Sequence, residues 1–192
     1  MRGDSMKGKI FTAQEVQAIL AGNKTMFREI CKRQPQGEIE KPYVIRQAGI
    51  TEFNYPFGKI PYQIGQKIFV KESFNIFAGQ VAFKQSLANA EKYIWKPASQ
   101  MKQEQSRLTL QIKEIRVERL ADISEEDAIA EGVVYPNTPV CCYRYQMNCC
   151  GNYEAEDASW EFKQIWNATH KKPEEKFEAN PWVWSIQFEV VK

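Results

Sequence analysis

Residues 107–132 read RLTLQIKEIRVERLADISEEDAIAEG, and the architecture follows from them. Leu108, Leu110 and Ile112 recur with period two, the spacing of a strand that buries one face. Ile115, Val117 and Arg119 resume that period in the opposite phase, so a bulge or bend is expected near Lys113 and Glu114. A single strand over 107–120 that bends in its middle is what a small closed barrel uses at a corner. Ser124 then has the chemistry of an N-cap, and Glu125, Glu126 and Asp127 place acids in a first turn. Gly132 supplies the stop, so a short helix over 125–131 is expected.

On the C-terminal side, residues from about 135 to 155 are rich in Pro, Asn and Cys and read as a surface insertion. A helix over 157–169 follows, with Trp160 or Glu161, Ile165 and Trp166 as alternatives for its buried stripe. Pro173 and the charged run to Glu178 read as loop. The chain closes with a strand over 182–191, with Trp182, Trp184, Ile186, Phe188 and Val190 on one side. On the N-terminal side, Thr12 and Glu15 form a capping box for a helix over 13–21, with Val16, Ile19 and Leu20 on one face and Gly22 as a left-handed C-cap. An extended segment begins at 24–28. A short strand is expected at 43–46, an alternating one at 67–74 with Ile68 and Val70 sharing a face, and another at 93–95. Without a regular strand-helix-strand repeat, antiparallel pairing is the expectation. The predicted fold is α+β: one domain spanning 1–192, a small and mostly antiparallel β-barrel with flanking helices.

The chain of 192 residues is 43% hydrophobic, enough for a sizeable core. His170 is the single histidine, which excludes catalysis by two imidazoles and any two-histidine zinc site. There is no apolar run near the ~20 residues of a membrane helix and no signal-peptide core, so a cytoplasmic protein without a membrane partner is expected. Up to Leu120 the formal charge is +9, and beyond it −7. Such a split suggests a polyanion partner for the basic part, or two halves that interleave and solvate one surface. Cys31 stands alone, while Cys141, Cys142, Cys149 and Cys150 form two adjacent pairs. Four thiolates suit zinc, but the spacing is wrong for a zinc ribbon, so reduced thiols in a loop, with no metal and no cofactor, are expected.

Residues 21–25 (AGNKT), 65–74 (GQKIFVKESF), 95–97 (WKP), 106–110 (SRLTL), 123–132 (ISEEDAIAEG) and 180–184 (NPWVW) together resemble the ASCH domain family, in particular members carried by phages and prophages. The resemblance runs through most of the chain in order. It implies a barrel of the PUA-like superfamily and a role with RNA or modified nucleosides. In the acetylcytidine amidohydrolase branch of that family, the pattern places a Lys at Lys24, a Glu at Glu131 and a nucleophilic Thr at the position of Phe27. A phenyl ring has no hydroxyl to attack a carbonyl. Thr25 lies two residues away, about 7 Å along an extended chain, too far to substitute without a backbone shift.

The site expected from these residues is a cleft lined by Lys24, Phe27 and Glu131, where the ring stacks on a base and the ammonium meets a phosphate or base oxygen. Arg28 is the best further phosphate ligand, followed by Arg46, Lys71, Lys96 and Arg107, with Trp95 as a second aromatic platform. Glu72 is expected to face solvent. Single-stranded RNA or a nucleoside is the expected partner. Two alternatives stand beside it: an amidohydrolase or ribonuclease using Lys24, Glu131 and Thr25, and a phage accessory module that binds a protein through the acidic third helix and the insertion.

Overall fold

The computed structural model describes residues 6–35, 43–45, 57–86, 90–133 and 158–191. In chain order these form β1 (Lys7–Ile10), α1 (Ala13–Leu20), β2 (Met26–Ile30), β3 (Tyr43–Ile45), β4 (Lys67–Lys71), β5 (Phe74–Phe77), β6 (Gln80–Phe83), β7 (Thr109–Arg119), α2 (Glu125–Ala130), α3 (Ala158–Thr169) and β8 (Trp182–Val191), joined in places by 3-10 turns. The main sheet runs β1-β4-β7-β8-β2, with β3 paired to the C-terminal half of β7. β5 and β6 make a separate hairpin.

The long strand and its bulge are where the pattern puts them. β7 pairs with β8 along its length, and the register slips between Ile112 and Glu114. That slip absorbs the change of phase, so Leu110 and Ile112 before it and Ile115 and Val117 after it enter the same buried cluster. Both helix caps also form. Thr12 Oγ1 accepts from Glu15 N, and Glu15 Oε2 accepts from Thr12 N. Ser124 caps α2, and Gly22 and Gly132 take positive φ after their helices.

The sheet is not the expected barrel. β1 pairs only with β4, and β2 only with β8, among the described residues. A barrel needs backbone hydrogen bonds between those two edges. What meets there instead is side chain: Lys9 Nζ stands 2.6 Å from Glu29 Oε1 and 4.4 Å above the Phe27 ring. Nor is the sheet purely antiparallel, because β1 and β4 run parallel. Their crossover is the whole of residues 11–66, which contains α1, β2 and β3, so no strand-helix-strand period announces it. The α+β class holds, as an open mixed sheet with a two-stranded accessory sheet.

Apolar residues pack on both faces. One cluster gathers Phe11, Val16, Ile19, Phe27, Cys31, Tyr62, Ile68, Trp184, Ile186 and Phe188 with the inner residues of β7. The other lies under α2 and α3 and includes Leu120, Ala128, Phe162, Trp166 and Val183. β8 is therefore buried on both faces over its first half rather than alternating. Leu20 is exposed, and the buried stripe of α3 is Ala158, Phe162 and Trp166, leaving Trp160 and Ile165 outward. The segment expected as one strand over 67–74 divides at Glu72, where the chain leaves the main sheet for the hairpin. Residues 93–95 form no strand; one bridge, Phe74 to Lys96, ties that loop down. The insertion with its four cysteines, and Arg46, lie outside the described residues.

Burial pushes the Cys31 thiol up to about 12. A raised folded-state value means that this thiol's contribution to stability is whole below its ordinary value near 9.0 and is lost as pH rises toward 12. Cys31 is accordingly expected to resist iodoacetamide in the native chain at about pH 8 and to react once the chain is unfolded, as read by peptide mass mapping. Rapid native labelling of Cys31 contradicts its burial.

Candidate functional site

Lys24 emerges from the turn after α1, where Thr25 N donates to Ala130 O and an isolated bridge joins Lys24 to Glu131. Gly132, at φ +86°, makes the approach possible: a Cβ there would stand 3.0 Å from Lys24 Cβ and 3.1 Å from Ala18 Cβ. Lys24 Nζ donates to the Glu131 carbonyl at 2.7 Å and to Glu131 Oε2 at 2.9 Å, with Glu15 Oε1 at 3.5 Å. Three N–H groups thus have three oxygen neighbours, and the residue is only 3% exposed.

Arg28 enters the same cluster from β2. Its guanidinium donates to Glu118 at 2.6 and 3.2 Å, to Glu131 at 2.9 Å and to Asp127 at 3.0 Å. Arg116 closes the network on Asp127 at 2.8 Å. Burial alone would lower the Arg28 pKa; the carboxylates of Glu131, Glu118 and Asp127 outweigh it and raise it. The expected pair of Lys24 and Glu131 therefore meets, but as part of a buried charge lattice that locks α2 onto β2 and β7. Arg28 spends its fork on carboxylates and has none left for a phosphate.

Phe27 is not in that cluster. Successive residues of a strand face opposite ways. Met26 and Arg28 point under α2, so Phe27 points into the other core. There it is 2% exposed, with Phe11 at 5.7 Å, Tyr62 at 5.6 Å and Phe188 at 5.8 Å between ring centroids. It offers no face to a base. Thr25 is held by its backbone, to Ala130 on one side and Phe188 on the other.

Glu72 does not face solvent. It is buried and takes a two-pronged bond from Arg107, with Nε and Nη2 each 2.8 Å from a carboxylate oxygen. Arg107 also lies 4.2 Å over the Phe83 ring and donates to Ser86. Lys71 donates to the Ser99 carbonyl. Lys96 is exposed.

Trp95 sits in a different setting. Its Nε1 donates to Ala90 O, and its ring lies 6.4 Å from both Phe77 and Tyr93, which are 5.4 Å from each other. Phe77 is 38% exposed, Tyr93 46% and the neighbouring Ile94 91%. Three rings from the hairpin and the 90–96 loop thus form one cluster open to water. Residues 67–107, which carry it, contain seven Lys or Arg against three Glu. Sequence reasoning named Trp95 and Lys96 and missed Phe77 and Tyr93. The signal was Ala78-Gly79 between two short apolar runs, both residues at positive φ, which is a two-residue hairpin turn.

No group of three or more His, Cys, Asp or Glu among the described residues is placed to hold a metal ion. The fold and this surface define an α+β protein with an open mixed sheet and an exposed, lysine-flanked aromatic cluster on an accessory hairpin. Comparison with models of known families, with curated proteins and with solved structures found no match. No helix among the described residues is long and apolar enough to cross a membrane.

Proposed function

We propose that the chain binds single-stranded RNA, and that it does so on the Phe77, Tyr93 and Trp95 cluster rather than in a cleft at Lys24. The observation that carries this reading is a group of three mutually contacting rings, with Phe77 and Tyr93 exposed and Trp95 half-buried beside them, on a segment with a clear excess of lysine. A base has an apolar face and a charged backbone, so an aromatic platform whose ring residues Tyr93 and Trp95 adjoin Lys92 and Lys96 in the chain matches both parts. The resemblance of residues 21–25, 65–74 and 123–132 to the ASCH family points to the same class of ligand. The hydrolase readings draw no such support, because Lys24 and Glu131 satisfy each other beneath α2 and Phe27 carries no nucleophile. Exposed Ile76 and Ile94 beside the rings favour a protein partner as the second reading.

Fluorescence anisotropy with an unstructured oligouridylate tests it. Binding is expected to weaken steeply between about 50 and 200 mM salt, as counterion release requires. Tyr93→Ala and Phe77→Ala are each expected to cost ~1–3 kcal/mol of binding with little change in thermal unfolding. Absence of binding at low salt, or unchanged affinity in both variants, overturns the proposal and leaves the protein-partner reading.

A further inference from the structure

Among the described residues no strand pairing joins the hairpin that carries Phe77 to the main sheet. A two-stranded ribbon is marginal by itself, so whatever holds β5 and β6 decides where that ring stands. The hairpin register pairs Phe74 with Phe83, Asn75 with Ala82, Ile76 with Val81 and Phe77 with Gln80. Cross-strand partners share a face and successive residues alternate, which puts Phe74 and Phe83 on one side and Asn75 and Phe77 on the other. The 90–96 loop meets the second side, where Asn75 Nδ2 donates to Ile94 O at 2.7 Å and Phe77 contacts Tyr93 and Trp95.

Arg107 meets the first side. Its guanidinium lies 4.2 Å over the ring of Phe83, the last residue of β6. Nε and Nη2 fork onto Glu72, just before β5, and Nη1 donates at 3.1 Å to Ser86, just after β6. One side chain therefore holds the entry and the exit of the hairpin together. Its own base is fixed in the main sheet, because Val70 N donates to Leu108 O at 3.0 Å and Ser106 Oγ donates to Val70 O at 2.7 Å. The carboxylate under the fork is 4% exposed. A planar guanidinium can form the two parallel bonds and lie flat on a ring at once, which a point-like ammonium cannot.

We propose that Arg107 is the positioning residue of the aromatic site: it clasps both ends of the hairpin to the main sheet and so keeps Phe77 against Tyr93 and Trp95. This inference rests on the RNA reading for the ligand alone; the geometry that Arg107 sets is the same whatever binds the rings. Arg107 acts through the hairpin and not on a phosphate, since each of its three nitrogens already donates to Glu72 or Ser86.

Arg107→Lys and Glu72→Gln are compared with the wild-type chain by amide hydrogen exchange and by oligouridylate anisotropy. Exchange is expected to quicken about tenfold or more across residues 74–83 while β7 and β8 keep their protection, because only a local opening becomes easier. Oligouridylate binding is expected to weaken about tenfold in both variants through lost preorganisation, with an unchanged salt slope. A direct phosphate contact predicts the opposite sign. Glu72→Gln would then free Arg107 and remove a negative charge, so binding would tighten, and loss of the contact in other variants would lower the salt slope by about one. Tighter binding in Glu72→Gln, unchanged exchange over 74–83 in both variants, or protection lost across β7 and β8 as well overturns the clasp. A wild-type chain that binds no RNA at low salt overturns the ligand reading alone, and the exchange measurement still decides for or against the clasp.

Discussion

Arg28→Met is expected to lower the stability of the fold by ~3–5 kcal/mol, the usual cost of stripping one partner from a buried charge cluster. Arg28 has a side chain with no exposed surface and binds Glu118, Asp127 and Glu131 at once. The methionine replaces its length but not its charge. Arg116 and Lys24 then remain for carboxylates that previously had three cations among them. Urea unfolding of the wild type and the variant measures the difference. The cause is isolated by adding Glu118→Gln: the double variant is expected to recover part of the loss, because one stranded charge has been removed. A single variant within about 1 kcal/mol of the wild type shows that the cluster is not what holds α2 in place.

Phe27→Ala is expected to cost ~3–5 kcal/mol of stability, the range for emptying a packed phenyl site. The ring touches three other aromatic rings and carries Lys9 over its face, so its removal opens a cavity at the seam of β1 and β2. The same substitution distinguishes two roles for this residue. A base-stacking ring in a cleft would lose RNA affinity and keep its melting temperature; a keystone of the core loses stability, and affinity only through unfolding. Thermal unfolding and anisotropy on the same preparation separate them. An unchanged melting temperature contradicts the packing described for Phe27.

Much of the candidate chemistry was legible in order but not in placement. The pairing of Lys24 with Glu131, more than a hundred residues apart, emerged from a family resemblance and is met by a 2.9 Å contact. The orientation of Phe27 did not emerge, because alternation says only that Phe27 and Arg28 face opposite ways. Arg28 looked like a phosphate ligand for the same reason. A guanidinium is equally suited to carboxylates, and three of them come to it from β7 and α2. The exposed rings were half seen, through Trp95, since their cluster needs the hairpin turn at Ala78-Gly79 to bring Phe77 back to Tyr93.

What the amino-acid order determined alone is local: the capping box of α1, the Ser124 cap of α2, the glycines that end both helices and the bulge in β7. Each depends on residues within a few positions of one another, where steric preference and hydrogen-bonding reach are decided by the chain itself. Only the tertiary structure decided that the sheet stays open, that β1 lies parallel to β4, that β8 is covered on both faces and that Arg28 and Phe27 are both interior. These depend on which distant elements come to rest on each face. A side chain's alternation names its face, but the packing of other elements determines whether that face meets water or core.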